Sequence, residues 1–182
     1  MKRKIKLQIQ MSVDGFIAGP DGNMEWMQWN WDDQLKGYVR QLTESMDCII
    51  LGRKLAEGFI PYWSSHPDDE GAENINKTRK VVFSKTLKKS PWETATIASG
   101  DLVDEITKLK NQSGKDIIVY GGANFVTNLI KHKLIDEFHF LVNPTLLGSG
   151  MSIFKAIPQS NLKLKKAMGF ECGISVLNYE LV

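Results

Sequence analysis

Apolar and polar positions along the chain follow two different periods, and the changes of period mark out its elements. Ile5, Leu7, Ile9 and Met11 alternate with Lys6, Gln8 and Gln10, which predicts a half-buried opening strand; Gly15, Gly19, Pro20, Asp21 and Gly22 then supply turn residues. Residues 32 to 45 place Leu35, Tyr38, Val39 and Leu42 at helical spacing behind Asp32 and Asp33, whose charge suits the positive end of a helix dipole. Cys48 to Leu51, Val81 to Phe83 and Ile117 to Tyr120 are short uninterrupted apolar runs, and Phe138 to Val142 is a similar run broken only by His139. Runs of this kind predict strands buried on both faces, as in a parallel sheet. Between them, residues 101 to 110 and 123 to 134 repeat at helical spacing, so strands alternate with helices and predict an α/β sandwich built from βαβ crossovers. Leu162, Leu164, Lys166 and Met168, followed by Ile174 to Leu181, predict two further strands, antiparallel at the sheet edge. Residues 61 to 80, rich in turn formers and polar side chains, are expected to be an exposed loop.

Composition narrows the classes. With 182 residues, 42% hydrophobic and 24% charged, the chain is expected to fold as one soluble domain, residues 1 to 182, with a full core. A net charge of +2 with scattered basic residues argues against a nucleic-acid surface. Cys48 and Cys172 stand far apart and suggest neither a disulfide framework nor a zinc site, and the start lacks the continuous apolar core of a signal peptide. A cytoplasmic protein without a membrane partner is expected. His66, His132 and His139 have no metal-ligand spacing, so no metal is expected. Phosphate-loop, dinucleotide-fingerprint, zincin and nucleophile-elbow motifs are all missing.

Candidate chemistry therefore rests on strand-to-helix junctions. At Gly121, Gly122, Ala123 and Asn124 a buried strand ends and a helix begins with small residues, where an anion can approach backbone N–H groups closely; a tight turn alone explains the same residues. Gly52, Arg53 and Lys54 set two cations at another helix start, and Ser84 and Lys85 follow a third buried strand. Ligands of open α/β sheets collect outside the carboxyl ends of the strands, so three such junctions on one edge reinforce each other. Ser12 and Asp14 follow the opening strand directly. Trp26, Trp29 and Trp31 crowd three of the five tryptophans into one short stretch, and Trp26 and Trp29 are candidate pocket walls.

The order of SVDGFIAG, LGR, FSK, IIVYGGANFVTNLI and LIDEFHFLVNPTLLGSGMSIF resembles the dihydrofolate-reductase-like superfamily, and most closely the RibD C-terminal domain, the reductase part of the riboflavin-biosynthesis deaminase-reductase. The resemblance implies a dihydrofolate-reductase-like three-layer sandwich, its central sheet of about eight strands mostly parallel with an antiparallel C-terminal edge. It implies NADPH, with residues Gly122, Ala123, Asn124 and Phe125 on the pyrophosphate, Gly52, Arg53, Lys54, Ser84 and Lys85 on the 2′-phosphate side, and Ile17 and Ala18 beside the nicotinamide ribose. It further implies a cis peptide between Gly121 and Gly122, a catalytic role for Asp14 supported by Ser12, and hydride transfer to a small heterocycle or ribosylaminopyrimidine. Tyr120 stands where the riboflavin enzymes usually present Glu, so a hydroxyl replaces a carboxylate in the substrate pocket. Alternatives on the same fold are a non-catalytic NADP-binding or sensor protein and a dihydrofolate or pteridine reductase. Family members are commonly homodimers, and the apolar stretch from Phe138 to Leu146 is the expected interface.

Overall fold

The computed structural model describes residues 2–182. In chain order the elements are β1 (Ile5–Ser12), α1 (Asp33–Glu44), β2 (Met46–Gly52), α2 (Arg53–Ser65), α3 (Ala72–Lys77), β3 (Arg79–Phe83), β4 (Ala95–Ala98), α4 (Leu102–Asn111), β5 (Asp116–Val119), α5 (Ala123–Lys131), β6 (Glu137–Asn143), β7 (Leu162–Gly169) and β8 (Ser175–Leu181). The strands form one eight-stranded sheet in the order β4-β3-β2-β5-β1-β6-β8-β7. β1 to β6 run parallel, and β8 and β7 add antiparallel beyond β6. The expected sandwich with its antiparallel edge is therefore the architecture found. No helix among the described residues is long and apolar enough to cross a membrane.

The two faces of the sheet are packed differently. Ile5, Leu7, Ile9 and Met11 of β1 join Val126 and Leu129 of α5 and Ile106 and Leu109 of α4 in one continuous core. On the opposite face the apolar side chains divide into two clusters. One gathers Ala56 and Ile60 of α2 with Leu42 of α1 and Ile118 of β5; the other gathers Leu35 of α1 with Leu141 of β6 and Val176 of β8. Because side chains alternate across a strand, the row between these clusters is Lys6, Gln8, Gln10 and Ser12. α1 crosses this row obliquely, with Leu35 on one side of it and Leu42 on the other. α1 and α2 therefore diverge toward the carboxyl edge and leave a wedge over β1.

Three expectations are corrected. β1 is not half-buried: Gln8, Gln10 and Ser12 are buried as well, because β1 lies in the middle of the sheet with helices on both sides. Residues 61 to 80 are not a loop. α2 continues to Ser65 with Pro61 inside it, α3 follows, and β3 starts at Arg79. The sheet also contains β4, whose short Ala-Thr-Ile-Ala sequence carries little periodic signal. Within the sheet β6 is hydrogen-bonded to β1 and β8, and Phe138 and Phe140 are in the core, while Leu146 beyond it is exposed.

Beneath α1, the Tyr38 hydroxyl is hydrogen-bonded to His139 Nδ1, and Asn178 Nδ2 lies 3.4 Å from His139 Nε2. Burial lowers the His139 pKa to about 4 despite Glu137 nearby, and burial pushes the Tyr38 hydroxyl up to about 12. The unfolded chain takes up this proton near the ordinary histidine value of about 6.5, above the folded value, so stability from neutral His139 is complete above about pH 6.5 and is lost as pH falls toward 4. Chemical denaturation across that range should show His139→Gln losing less stability on acidification than the unsubstituted protein. The difference is expected to be on the order of 2–3 kcal/mol; parallel pH profiles would contradict a buried neutral imidazole.

Candidate functional site

The parallel ladders bring the predicted junctions to one edge. Gly52 pairs with Phe83 across β2 and β3, and Ile50 pairs with Val119 across β2 and β5, so Gly52, Ser84 and Gly121 end neighbouring strands. α1, α2, α4 and α5 all begin at this edge. Asp32 caps α1, accepting from Leu35 N at 2.9 Å, and Asp101 caps α4, accepting from Val103 N at 2.8 Å. α2 and α5 instead begin at Gly52 and Gly122 without a side-chain cap. The first amides of a helix have no acceptor within it, so these two starts offer free N–H donors at the positive end of a dipole. They also touch: a Cβ on Gly52 would lie 2.9 Å from Phe125 Cβ, and the Phe83 and Phe125 rings are 5.0 Å apart. Only glycine permits this approach of α5 to the β2–α2 junction.

The Gly121–Gly122 bond is trans, as are all peptide bonds among the described residues, which corrects the expected cis link. The turn is made by dihedral angles instead. Gly121 has φ 154° and Gly122 has φ 85° and ψ 94°, conformations that L side chains rarely adopt.

The side chains at this edge are partly engaged. Arg53 Nη1 donates to Glu57 Oε1 at 2.6 Å, one turn along α2, while Lys54 is exposed beside it. An exposed pair of this kind holds its cation weakly and leaves it recruitable by a phosphate. Ser84 Oγ accepts from Thr86 N and Leu87 N and shapes the turn after β3. Lys85 Nζ donates to the Ser99 and Gly100 carbonyls at 3.0 and 2.6 Å, tying that turn to the end of β4.

After β1, residues 13 to 18 zip against residues 145 to 151. Val13 N donates to Thr145 O, Ile17 N to Met151 O and Met151 N to Ala18 O, at 2.8–2.9 Å. Gly150 is required here, since a Cβ would fall 2.3 Å from Ala18 O. Asp14 completes the clasp: its carboxylate accepts from Ser12 Oγ at 2.6 Å, Gly148 N at 2.7 Å and Leu147 N at 3.2 Å. Ser12 in turn accepts from Phe16 N at 3.0 Å. The Ser12 hydroxyl bond, followed by those from Gly148 and Leu147, holds the Asp14 carboxyl below its ordinary range. Asp14 is thus an ionised clamp that fixes two loops, and a poor proton donor at neutral pH.

The wedge between α1 and α2 opens at the same edge. Tyr120 belongs to its α2 side, its half-buried ring stacked on Phe59 with centroids 5.4 Å apart, and burial pushes its hydroxyl well above the ordinary phenol value. The Tyr120 hydroxyl therefore stays protonated. Of the tryptophans, Trp31 packs with Leu35 and Ile174, Trp26 is half-buried with Nε1 bonded to Asn23 O, and Trp29 is 65% exposed and stacked on Trp31. Trp29 is therefore on the surface. Three residues given no site role from the sequence lie under the wedge: Gln8, Gln10 and the fully buried Asn143. Asn143 Nδ2 donates to Gln10 Oε1 at 3.1 Å and its Oδ1 accepts from Gln28 N at 2.9 Å. For Gln8 and Gln10 only the alternation of β1 gave a signal, and that pattern does not distinguish a polar face turned to water from one turned inward. No cluster of metal-ligating side chains occurs among the described residues.

Comparison with known proteins agrees with this geometry. The profile described as RibD C-terminal domain matches residues 3–176. The Bacillus subtilis protein YyaP is 30% identical, the alignment covering 98% of this chain and 95% of that protein. The riboflavin biosynthesis protein RibD of Corynebacterium ammoniagenes is 26% identical over 86% of this chain, which corresponds to 47% of that longer protein. Among solved structures, dihydrofolate reductase from Enterococcus faecalis, complexed with NADP(H), superimposes with a TM-score of 0.67 at 13% identity, covering 100% of this chain and 99% of that one. That likeness is one of fold.

The clamp has a direct consequence. In Asp14→Asn one acceptor oxygen becomes a donor, so amide hydrogen exchange at Leu147 and Gly148 is expected to become several-fold faster, with the core strands unaffected. Unchanged exchange at both amides would remove Asp14 from this role.

Proposed function

The chain belongs to the RibD C-terminal domain family, and on that footing we propose that it is an NADPH-dependent reductase that delivers hydride to a small nitrogen heterocycle or a ribosylaminopyrimidine-like molecule. The observation that carries this reading is the pair of uncapped helix starts meeting at Gly52 and Phe125, on an edge whose other two helix starts are closed by aspartates. Free first-turn amides on α2 and α5 suit a pyrophosphate, since each start combines unpaired donors with a favourable dipole. Gly122, Ala123, Asn124 and Phe125 would hold the pyrophosphate, and Arg53 and Lys54 the 2′-phosphate; Ser84 and Lys85 build the turn that borders it. Ile17 and Ala18 would bound the nicotinamide side, held by the pairing with Met151 and the Asp14 clamp. Bound NADPH supplies the hydride.

The residues of this chain do the positioning. The clamp holds the β1 loop rigid where the nicotinamide would lie, and Tyr120, on the wall of the adjoining wedge, presents a hydroxyl that stays protonated. That hydroxyl donates to a substrate acceptor without itself ionising, whereas a carboxylate at the same position only accepts. A riboflavin-type reduction fits the name of the Corynebacterium relative; the ring and its substituents are set by the wedge.

Titration with NADPH and NADH, followed by tryptophan fluorescence, tests the reading. NADPH is expected to bind at least about tenfold more tightly, because a charge-assisted bond to phosphate contributes about 1.5–3 kcal/mol. Arg53→Ala should weaken NADPH by a similar factor and NADH little. Equal losses for both would sink the 2′-phosphate assignment, and no binding of either would sink the reductase reading.

A further inference from the structure

Away from the carboxyl edge and the wedge, the molecule holds an apolar cavity on the other face of the sheet. Phe138 and Phe140 pair in register with Leu7 and Ile9, and all four lie in the core on the α4–α5 side. Past the end of α5 that core is not filled. A cavity of about 300 Å³ remains there, walled by Ile130 of α5, Phe138 and Phe140 of β6, Leu162 of β7 and Leu181 of β8. Residues 154 to 160, which form no regular element, make the remaining side with Phe154, Ile157 and Pro158. Both ends of this segment are tethered: Thr127 Oγ1 donates to Ile153 O at 2.9 Å, and Val182 N donates to Asn161 O at 3.3 Å. Phe154 also meets Phe140 edge to face, with centroids 5.9 Å apart. The walls are therefore fixed on every side, and they offer water few partners.

The mouth has a different chemistry. The polar lining comes from Lys133, Gln159 and Ser160, of which Lys133 and Gln159 are exposed. Lys133 holds φ 52°, and the only other non-glycine residue with positive φ among the described residues is Ala156, in the segment that forms the irregular side. Lys133 N donates to Ile130 O and Leu134 N to Leu129 O, both at 2.9 Å, a helix-ending turn in which glycine is the usual residue. Lysine there carries a conformational penalty that glycine avoids. Its ammonium is not needed to close the helix, because these amides and His132 N already take the last carbonyls. None of the ion pairs among the described residues involves Lys133. An unmatched cation at the mouth of an apolar cavity fits a ligand with a hydrocarbon body and an anionic head.

We infer that this cavity is a ligand site for a small amphipathic carboxylate, with its hydrocarbon body between α5, β6 and the 154–160 segment and its carboxylate on Lys133. An apolar cavity of about 150 Å³ takes one benzene ring, so this one takes a chain of about eight to ten carbons or a bicyclic ring. The site lies at the far end of α5 from Gly122, and on the opposite face of the sheet from Tyr120. The inference goes beyond the reductase reading and does not depend on it.

The test is a calorimetric titration of the full-length protein with sodium decanoate and with decyltrimethylammonium, which has the same chain and a cationic head, both kept below micelle-forming concentrations. Decanoate is expected to bind saturably at one site per chain, at least about tenfold more tightly than the cation. Lys133→Gly should lose that preference while melting no lower than the parent, because glycine relieves the backbone. Ile157→Trp, which fills the cavity from its irregular side, should abolish decanoate binding and leave the NADPH titration unchanged. No saturable decanoate binding, equal affinity for the two heads, a preference that survives in Lys133→Gly, a Lys133→Gly protein that melts several degrees lower, or decanoate binding that survives in Ile157→Trp would each overturn the inference. A dimer that Ile157→Trp dissociates, with no decanoate binding, would give the cavity to a second copy of the chain and overturn it as well. Decanoate binding without any NADPH binding would uphold the inference while overturning the reductase reading.

Discussion

Desolvation of the polar side of β1 is the constraint on which the rest of the structure depends. A carboxamide or hydroxyl taken out of water without a partner destabilises a fold by about 1–3 kcal/mol, and the row from Lys6 to Ser12 is matched from both sides at every position but Gln8, whose Oε1 is unpaired. Asp116 on β5 answers Lys6, Asn143 on β6 answers Gln10, and the β1 loop answers Ser12 through Phe16 and Asp14. These bonds fix β1 against its two neighbours more specifically than its apolar row does, since apolar contacts tolerate small shifts. They also explain why the helices on that face part: apolar clusters form on either side of a polar row, and α1 crosses it only obliquely.

The carboxyl edge obeys a complementary rule. Every helix that starts there must satisfy its first amides, and the chain uses aspartate for α1 and α4 but glycine for α2 and α5. An aspartate cap brings negative charge, which would repel an anion; glycine leaves both space and donors. Gly52 serves twice, because its missing Cβ also lets Phe125 close against the end of β2.

Much of this was legible in the residues. Uninterrupted runs such as Cys48 to Leu51 announce buried parallel strands, and the three junctions at Gly52, Ser84 and Gly121 do share an edge. Elsewhere local signals mislead for identifiable reasons. Pro61, Ser64 and Ser65 read as turn formers, although α2 accommodates them and Ile60 anchors it in the core. Gln8 and Gln10 read as solvent-facing because alternation records polarity without recording what lies above it. The clamp that Asp14 forms is not readable locally, since its partners Leu147 and Gly148 are 133 and 134 residues away in sequence. The cis bond expected at Gly121–Gly122 came with the family resemblance, and here the two glycines turn the chain without it.

The strand order has a bearing on how the molecule is made. β8 lies between β6 and β7, although it follows both in the chain. As the polypeptide leaves the ribosome, β6 therefore has one hydrogen-bonding edge open until β8 emerges. β7, made first, has no partner to join during that interval. Its exposed face carries Lys163, Lys165 and Lys166, and like charges of this kind discourage two nascent chains from pairing strand to strand. The lysines are thus placed to protect the molecule before its sheet is closed as well as after.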